Sequence, residues 1–313
     1  MHEHIARTLY YLQVHLLYAS VVGLAAWILT SIARASATTK YWIWVVTALN
    51  FIFPLAAMLD KIWAPHLSWA TPLSVIGVFG NAIVENTGAA AVLGTIWLLG
   101  ATAMLGRLGL RLWAERRQTQ ASAAATTALE REQDFLAQGV PVRFAATRQT
   151  PAVEGVLHPH ISLPHGIDRL LSQPELNAVL LHELTHARRR DNLIRLIHEL
   201  GLCVLWFHPL VWVTGSRLAL YRELSCDESV MQHARGGDLV SALAKIANSD
   251  DALLLQASAS SFLSHRLARL SATQSQPSCL VVNALLAAMF GAALLAGIFA
   301  TVAHTACCFV LRT

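Results

Sequence analysis

Long runs of apolar residues alternate with polar segments along the chain, and they predict its main structural elements. A helix needs about 20 consecutive, mostly apolar residues to cross a bilayer. Four runs come close to this length, at residues 10–32, 41–59, 88–105 and 280–302. Each of these runs therefore predicts a transmembrane helix.

Two further apolar stretches are too short for this interpretation. Residues 69–84 contain Pro72 and two glycines, which favours an interfacial or re-entrant loop. Residues 200–215 are interrupted by Pro209, which removes a backbone donor and breaks a helix. This second stretch predicts a buried, proline-broken helix of a folded domain.

Basic residues near the runs predict the orientation of the chain in the membrane. Four arginines lie between residues 107 and 117, whereas residues 63–86 contain no Lys or Arg. Short basic connections face the cytoplasm, so the N-terminus is expected outside a cytoplasmic (inner) membrane, which the chain crosses several times. The predicted parts are three transmembrane helices in residues 1–113, a cytoplasmic domain in 114–277, and a fourth transmembrane helix with a short tail in 278–313.

Composition agrees with a membrane protein and excludes some other classes. Hydrophobic residues make up 55% of the chain and charged residues only 13%, against about 25% in soluble domains. The net charge of +4 comes partly from arginines beside the predicted spans, so it does not indicate nucleic-acid binding. The five cysteines show no C-x-x-C spacing, which argues against a cysteine-based zinc site.

The predicted cytoplasmic domain begins with a polar helix and then changes character. Apolar and polar residues alternate in residues 140–146, and residues 152–164 are punctuated by glycine and proline, so a small sheet is expected. Ser172 and Glu175 then have the spacing of a capping box at a helix start. The helix that follows, at about residues 176–190, contains the most informative motif of the chain.

That motif is His182-Glu183-x-x-His186. Histidines four residues apart on a helix leave the same face, so both rings can reach one ion at roughly 2.0–2.1 Å, as Zn²⁺ requires. Glu183 lies beside them and can take a proton from a water molecule that the metal activates. Until a third ligand is found, two packed histidines on a helix stay an alternative explanation of the pattern.

A second pair of acids, Glu223-x-x-x-Asp227, supplies a candidate third ligand. Glu223 would complete the zinc site, with Asp227 holding one of the histidines from outside. The alternative is that both acids pair with Arg217 or Arg222 on a solvated helix face.

Three segments together, HELTHARRRDN (182–192), WFHPLVW (206–212) and RELSCDESV (222–230), resemble the BlaR/MecR-type integral-membrane zinc metallopeptidases. The resemblance covers about residues 130–275. It implies a mainly α integral membrane protein with four transmembrane helices and an inserted α+β gluzincin-like zinc metalloprotease domain. It also implies His182, His186 and Glu223 as zinc ligands, Glu183 as the catalytic base, and Asp227 as a residue that supports the ligands.

The resemblance further implies an endopeptidase in regulatory signalling, similar to an antirepressor. Its expected partners are the lipid bilayer and a cytoplasmic or membrane-proximal protein substrate, such as a transcriptional repressor, with no direct contact to nucleic acid. Only about ten residues follow Val302, so the penicillin-binding sensor of the antibiotic-sensing members is expected to be missing and a separate partner to provide the signal. The alternative function is a non-catalytic membrane signalling or scaffold protein with a structural zinc site.

Two details of substrate handling and one ion pair follow as hypotheses. Residues 142–146 or 156–162 would offer a strand edge to which an extended substrate adds. Tyr221, His233 and Arg217 are candidates for stabilising the oxyanion. Asp191 is expected to pair with one of the arginines that precede it.

Overall fold

The structure, a computed structural model, is mostly helical and contains one small sheet. It describes residues 2–33, 35–52, 87–122, 139–145, 150–233 and 235–247, and the single positions 266, 283, 284, 287, 288, 290, 291 and 295. The described helices are α1 (His2–Ile32), α2 (Ala37–Ile52), α3 (Thr87–Ser122), α4 (Ile167–Leu170), α5 (Gln173–Arg189), α6 (Asp191–Val204), α7 (Pro209–Gln232) and α8 (Gly236–Ala247). The strands are β1 (Val142–Ala145), β2 (Ala152–Glu154) and β3 (His160–Pro164).

Two described helices are long and apolar enough to cross a membrane: His15–Ile32 within α1 and Ala91–Arg117 within α3. These agree with the first and third predicted spans. Large apolar side chains project outward from α3, as lipid contact requires. They are Val92, Leu93, Ile96, Leu98, Leu99, Leu105, Leu110 and Trp113.

The other two predicted spans stay predictions. Only the first part of the run at 41–59 lies in α2, which ends at Ile52, and residues 53–59 fall outside the described part of the chain. The run at 280–302 is described only at single positions. The same holds for the loop expected at 69–84, which lies outside the described residues.

Helix α2 is buried in the protein along most of its length. Tyr41 and Trp44 are among the largest fully buried side chains, and they share a cluster with residues of α1 and α7. That cluster contains Val22 and Ala26 of α1 together with Leu218 and Leu224 of α7. The N-terminal helices and α7 therefore form one continuous core.

The sheet has the order β1-β3-β2, with β1 parallel and β2 antiparallel to β3. This confirms the predicted small sheet. Its centre is β3, because Ile161 pairs with Val142 on one side and with Val153 on the other. The hypothesis that residues 156–162 offer a free edge is therefore wrong for the part of that segment within β3.

Helix α5 begins as the sequence predicts. Ser172 is the N-cap, and its backbone N–H and hydroxyl both donate to Glu175 Oε2, at 2.7 and 2.9 Å. One face of the helix, including Leu180 and Leu184, belongs to a buried cluster with the sheet residues Ile161 and Leu163. The sheet thus supports α5 from one side.

Two breaks in the chain shape the region around α6. Arg190 has φ 55° and ψ 45°, a left-handed conformation that ends α5 and lets Asp191 begin α6. Helix α6 ends at Val204, and α7 starts at Pro209, where a missing N–H costs nothing. The predicted break before the proline is confirmed, but the stretch is only partly buried, since Leu200, Val204, Phe207 and Trp212 are exposed.

Candidate metal centre

Three potential ligand atoms converge where α5 and α7 meet. Nε2 of His182 lies 3.2 Å from Nε2 of His186, and these nitrogens lie 3.6 and 3.7 Å from Oε2 of Glu223. Two ligands that each lie 2.0–2.1 Å from one tetrahedral zinc ion are roughly 3.3 Å apart. The observed triangle is therefore close to the size that zinc requires, and its atoms are of the types that zinc prefers.

The local geometry of two helices explains this convergence. His182 and His186 are 5% and 9% exposed and lie one turn apart on α5, so their rings leave the same face. Glu223 approaches from α7, which packs against α5. The solvated face of the alternative interpretation does not hold, because Asp227 is only 2% exposed, but its expected pair is present, since Nε of Arg222 donates to Oε1 of Glu223 at 3.1 Å.

Each histidine has an aspartate carboxylate beside its Nδ1 atom, hydrogen-bonded in His186 and only in ion-pair contact in His182. Nδ1 of His182 lies 3.1 Å from Oδ1 of Asp227, and Nδ1 of His186 lies 2.6 Å from Oδ2 of Asp191. A carboxylate on Nδ1 keeps the proton there and leaves the lone pair of Nε2 for a metal. The sequence predicted this role for Asp227 and missed it for Asp191.

The buried carboxylate and the two histidines of this cluster shift each other's pKa values. Burial would raise the pKa of Glu223, but the facing His186 and hydrogen bonds from both histidines hold that pKa well below its usual range. Burial also lowers the pKa of His186, yet the Glu223 carboxylate, Cys226 and Asp191 raise it well above the usual value. The histidines thus attract protons, which a binding metal ion must displace.

Arg266 also contacts this cluster, although the sequence reasoning did not single it out. Its Nε and Nη2 atoms donate to the two carboxylate oxygens of Asp227, at 2.9 and 2.6 Å. Nη1 lies 3.6 Å from Oε2 of Glu223. Arg266 therefore neutralises and orients Asp227. An isolated arginine 39 residues from its partner has no spacing that would reveal it.

Asp191 has more partners than the single arginine that the sequence predicted. Arg189 donates to its Oδ2 atom at 2.7 Å, which confirms the expected pair. The hydroxyl of Tyr41, from α2, donates to Oδ1 at 2.6 Å. The guanidinium of Arg189 also stacks on the Tyr41 ring, 4.3 Å from its centroid. Asp191 thus joins the metal centre to the N-terminal helices.

A cleft of about 180 Å³ opens beside two of the candidate ligands, and Glu183 lines it together with His186 and Glu223. Residues of β2 form part of its wall, whereas β1 is the opposite edge of the sheet. Nδ2 of Asn192 donates to the carbonyls of Val153 and Gly155, at 3.0 and 3.1 Å. The sheet edge at the cleft is therefore β2, which the sequence reasoning did not select, and Asn192 already occupies two of its acceptors.

The predicted oxyanion helpers make contacts elsewhere. The Tyr221 hydroxyl donates to the backbone carbonyl of Thr30 at 3.4 Å, and the His233 ring contacts the carbonyl of Ser229 at 2.8 Å. The Arg217 guanidinium lies over Trp27, 5.9 Å from the ring centroid. The contacts recorded for these three residues therefore give no support to an oxyanion role.

The chain is similar in sequence to two kinds of known protein. It is 34% identical over 123 residues to the regulatory protein BlaR1 of Bacillus licheniformis, which covers 37% of this chain and 20% of that protein. It is 21% identical over 112 residues to the methicillin resistance mecR1 protein of Staphylococcus aureus, covering 34% of this chain and 19% of that protein. The matched segment thus spans about a fifth of these relatives' own length. The family described as BlaR1 peptidase M56 matches residues 11–270, most of the chain. The protein belongs to this family.

Proposed function

We propose that the protein is a membrane-embedded, zinc-dependent endopeptidase that cleaves a cytoplasmic or membrane-proximal protein in regulatory signalling. The observation that carries this proposal is the convergence of His182, His186 and Glu223 beside a cleft that contains Glu183. Membership of a peptidase family supports it. The names of the two relatives, a regulatory protein and a resistance protein, support a role in signalling.

In the proposed mechanism, His182, His186 and Glu223 hold the zinc ion, while Asp227 and Asp191 keep the two rings oriented. Bound zinc supplies Lewis-acid polarisation of the scissile carbonyl and makes a water molecule more acidic. Glu183 accepts a proton from the attacking water at its carboxylate. It then delivers that proton to the leaving amine, so one residue serves as base and acid in turn.

We further propose that the cleft takes an extended segment of the substrate along β2. The hydrogen bonds from Asn192 to Val153 and Gly155 attach this strand to the start of α6, which follows α5 directly. The amide donors of the same edge would then bind the substrate backbone by strand addition. The substrate that fits the family resemblance is a cytoplasmic transcriptional repressor, and the signal would come from a separate partner.

The experiment compares cells that express the wild type with cells that express Glu183→Gln. Newly formed protein N-termini are identified by mass spectrometry, and zinc is measured on the purified proteins. The proposal predicts equal zinc in both and a set of cleavage products found only with the wild type. Equal zinc with identical N-termini would instead support the alternative, a non-catalytic protein with a structural zinc site.

A further inference from the structure

Two short hydrogen bonds in series connect α2 to a predicted metal ligand. The Tyr41 hydroxyl donates to Oδ1 of Asp191 at 2.6 Å, and Oδ2 of the same carboxylate bonds to Nδ1 of His186 at 2.6 Å. Tyr41 and Asp191 are 0% and 3% exposed. Hydrogen bonds in such a site are stronger than in water, and an unpaired partner is costly. The position of α2 therefore affects the carboxylate that orients His186.

Tyr41 is itself held firmly at this position. The Arg189 guanidinium covers one face of its ring and also bonds to Asp191, so the three side chains fix one another. One turn earlier on α2, the N–H and hydroxyl of Thr38 both donate to Oε2 of Glu228, each at 3.0 Å. Glu228 follows Asp227 on α7. Helix α2 is thus attached both at the α5–α6 junction and to α7, which carries the third ligand.

We propose that Tyr41 is a positioning residue for the metal ligand His186, and that it makes metal binding depend on the place of α2 in the protein. With the hydroxyl removed, Oδ1 of Asp191 loses its donor and the carboxylate can turn toward Arg189. The His186 ring then loses its fixed orientation. The inference rests on the proposed function only in that His186 must bind zinc.

The expected loss of zinc affinity depends on how many side chains separate Tyr41 from the metal. Loss of a residue that directly supports a ligand weakens metal binding roughly 10- to 100-fold. Tyr41 acts one step further out, through Asp191. We therefore expect Tyr41→Phe to raise the dissociation constant for zinc about tenfold, near the lower end of that range.

Tyr221 offers a matched control. It is also a buried tyrosine of the same cluster and lies two residues before Glu223, but its hydroxyl donates to Thr30 of α1. Tyr221→Phe therefore removes the same atom from the same core without touching Asp191. A general loosening of the packing between α2 and α7 would affect both variants alike.

The test measures zinc affinity of the full-length protein in detergent by competition with a chromophoric chelator. The visible spectrum of the Co²⁺-substituted protein reports the ligand geometry independently of activity. We expect weaker zinc binding and an altered spectrum for Tyr41→Phe, with Tyr221→Phe within about twofold of the wild type, well below the effect of losing a supporting residue. When Tyr41→Phe is added to Asp191→Asn, no further weakening should follow, because Tyr41 acts through that carboxylate.

Two results would overturn the inference while leaving the proposed function intact. One is a wild-type zinc affinity for Tyr41→Phe, and the other is an equal loss in Tyr221→Phe. Absence of zinc from the wild-type protein would instead overturn the proposed function, and the inference with it.

Discussion

Asp191 lies 2.6 Å from the ring of His186, although one helix ends and another begins between them. The left-handed conformation of Arg190 reverses the chain there, so that the first residue of α6 faces back onto the last turns of α5. The second carboxylate beside the histidines of α5 thus comes from α6, the next helix in the sequence. Asp227 supplies the first from α7.

The first prediction concerns this carboxylate. Asp191→Asn weakens the bonds to His186, Arg189 and Tyr41, and we expect zinc to bind roughly 10- to 100-fold more weakly. Chelator competition on purified protein measures the effect. Asp168→Asn, an exposed substitution in α4, is the control and should leave zinc affinity unchanged. Unaltered affinity in Asp191→Asn would show that Asp191 does not orient the ligand.

The second prediction concerns Arg266 and Asp227. Their side chains are 12% and 3% exposed, and the pair is joined by two hydrogen bonds. Removing one partner leaves a buried charge, so Arg266→Ala should lower the free energy of unfolding by about 3 kcal/mol. The double variant Arg266→Ala with Asp227→Asn should lose clearly less than the sum of the single variants. Strict additivity in denaturant unfolding would show that the pair is not coupled.

The third prediction concerns pH and stability. Hydrogen bonds from Lys245, Ser241 and Ser172 hold the pKa of Glu175 at about 2, below its usual 4.5. Because the folded pKa is the lower one, the ionised carboxylate stabilises the protein above pH 4.5, and this contribution is lost as the pH falls from 4.5 towards 2.

Because Lys245 is partly exposed, solvent screens its attraction to Glu175. We therefore expect the ionised carboxylate to contribute about 1–2 kcal/mol to the free energy of unfolding. Glu175→Gln should be less stable than the wild type by this amount at pH 7. The difference between the two free energies of unfolding should be smaller at pH 3. Unfolding at the two pH values measures it. A gap of the same size at both would contradict the assigned pKa.

The fourth prediction concerns metal removal. A ligand that binds only the folded protein stabilises it, by about 2.7 kcal/mol when its free concentration is 100 times the dissociation constant. Chelation should therefore lower the Tm of the detergent-solubilised protein, and added zinc should restore it. His182→Ala should melt at the same temperature with and without zinc. A zinc-dependent Tm in that variant would place the metal elsewhere.

The parts of this site that follow helical periodicity could be predicted from the sequence. His182 and His186 share a face because they are four residues apart, and Glu223 and Asp227 follow the same rule. Contacts set by tertiary packing could not be predicted. Tyr41 reaches Asp191 across 150 residues, and no pattern in the sequence reveals such a pair.

The strands show the same limit. Their existence followed from alternation and turn residues, but pairing is non-local, so the central place of β3 and the position of β2 at the cleft needed the structure. The role of Asp191 depends on the left-handed Arg190, a conformation that arginine rarely adopts. Local rules thus identified the candidate ligands, and tertiary packing identified the residues that contact them.

The most direct test of a zinc peptidase centred on these residues compares two matched substitutions in one site. Zinc per chain and proteolysis are measured for the wild type, Glu183→Gln and Glu223→Gln. We expect one zinc per chain in the wild type and in Glu183→Gln, little in Glu223→Gln, and cleavage by the wild type alone. Full zinc in Glu223→Gln, or cleavage by Glu183→Gln at the wild-type rate, would contradict this expectation.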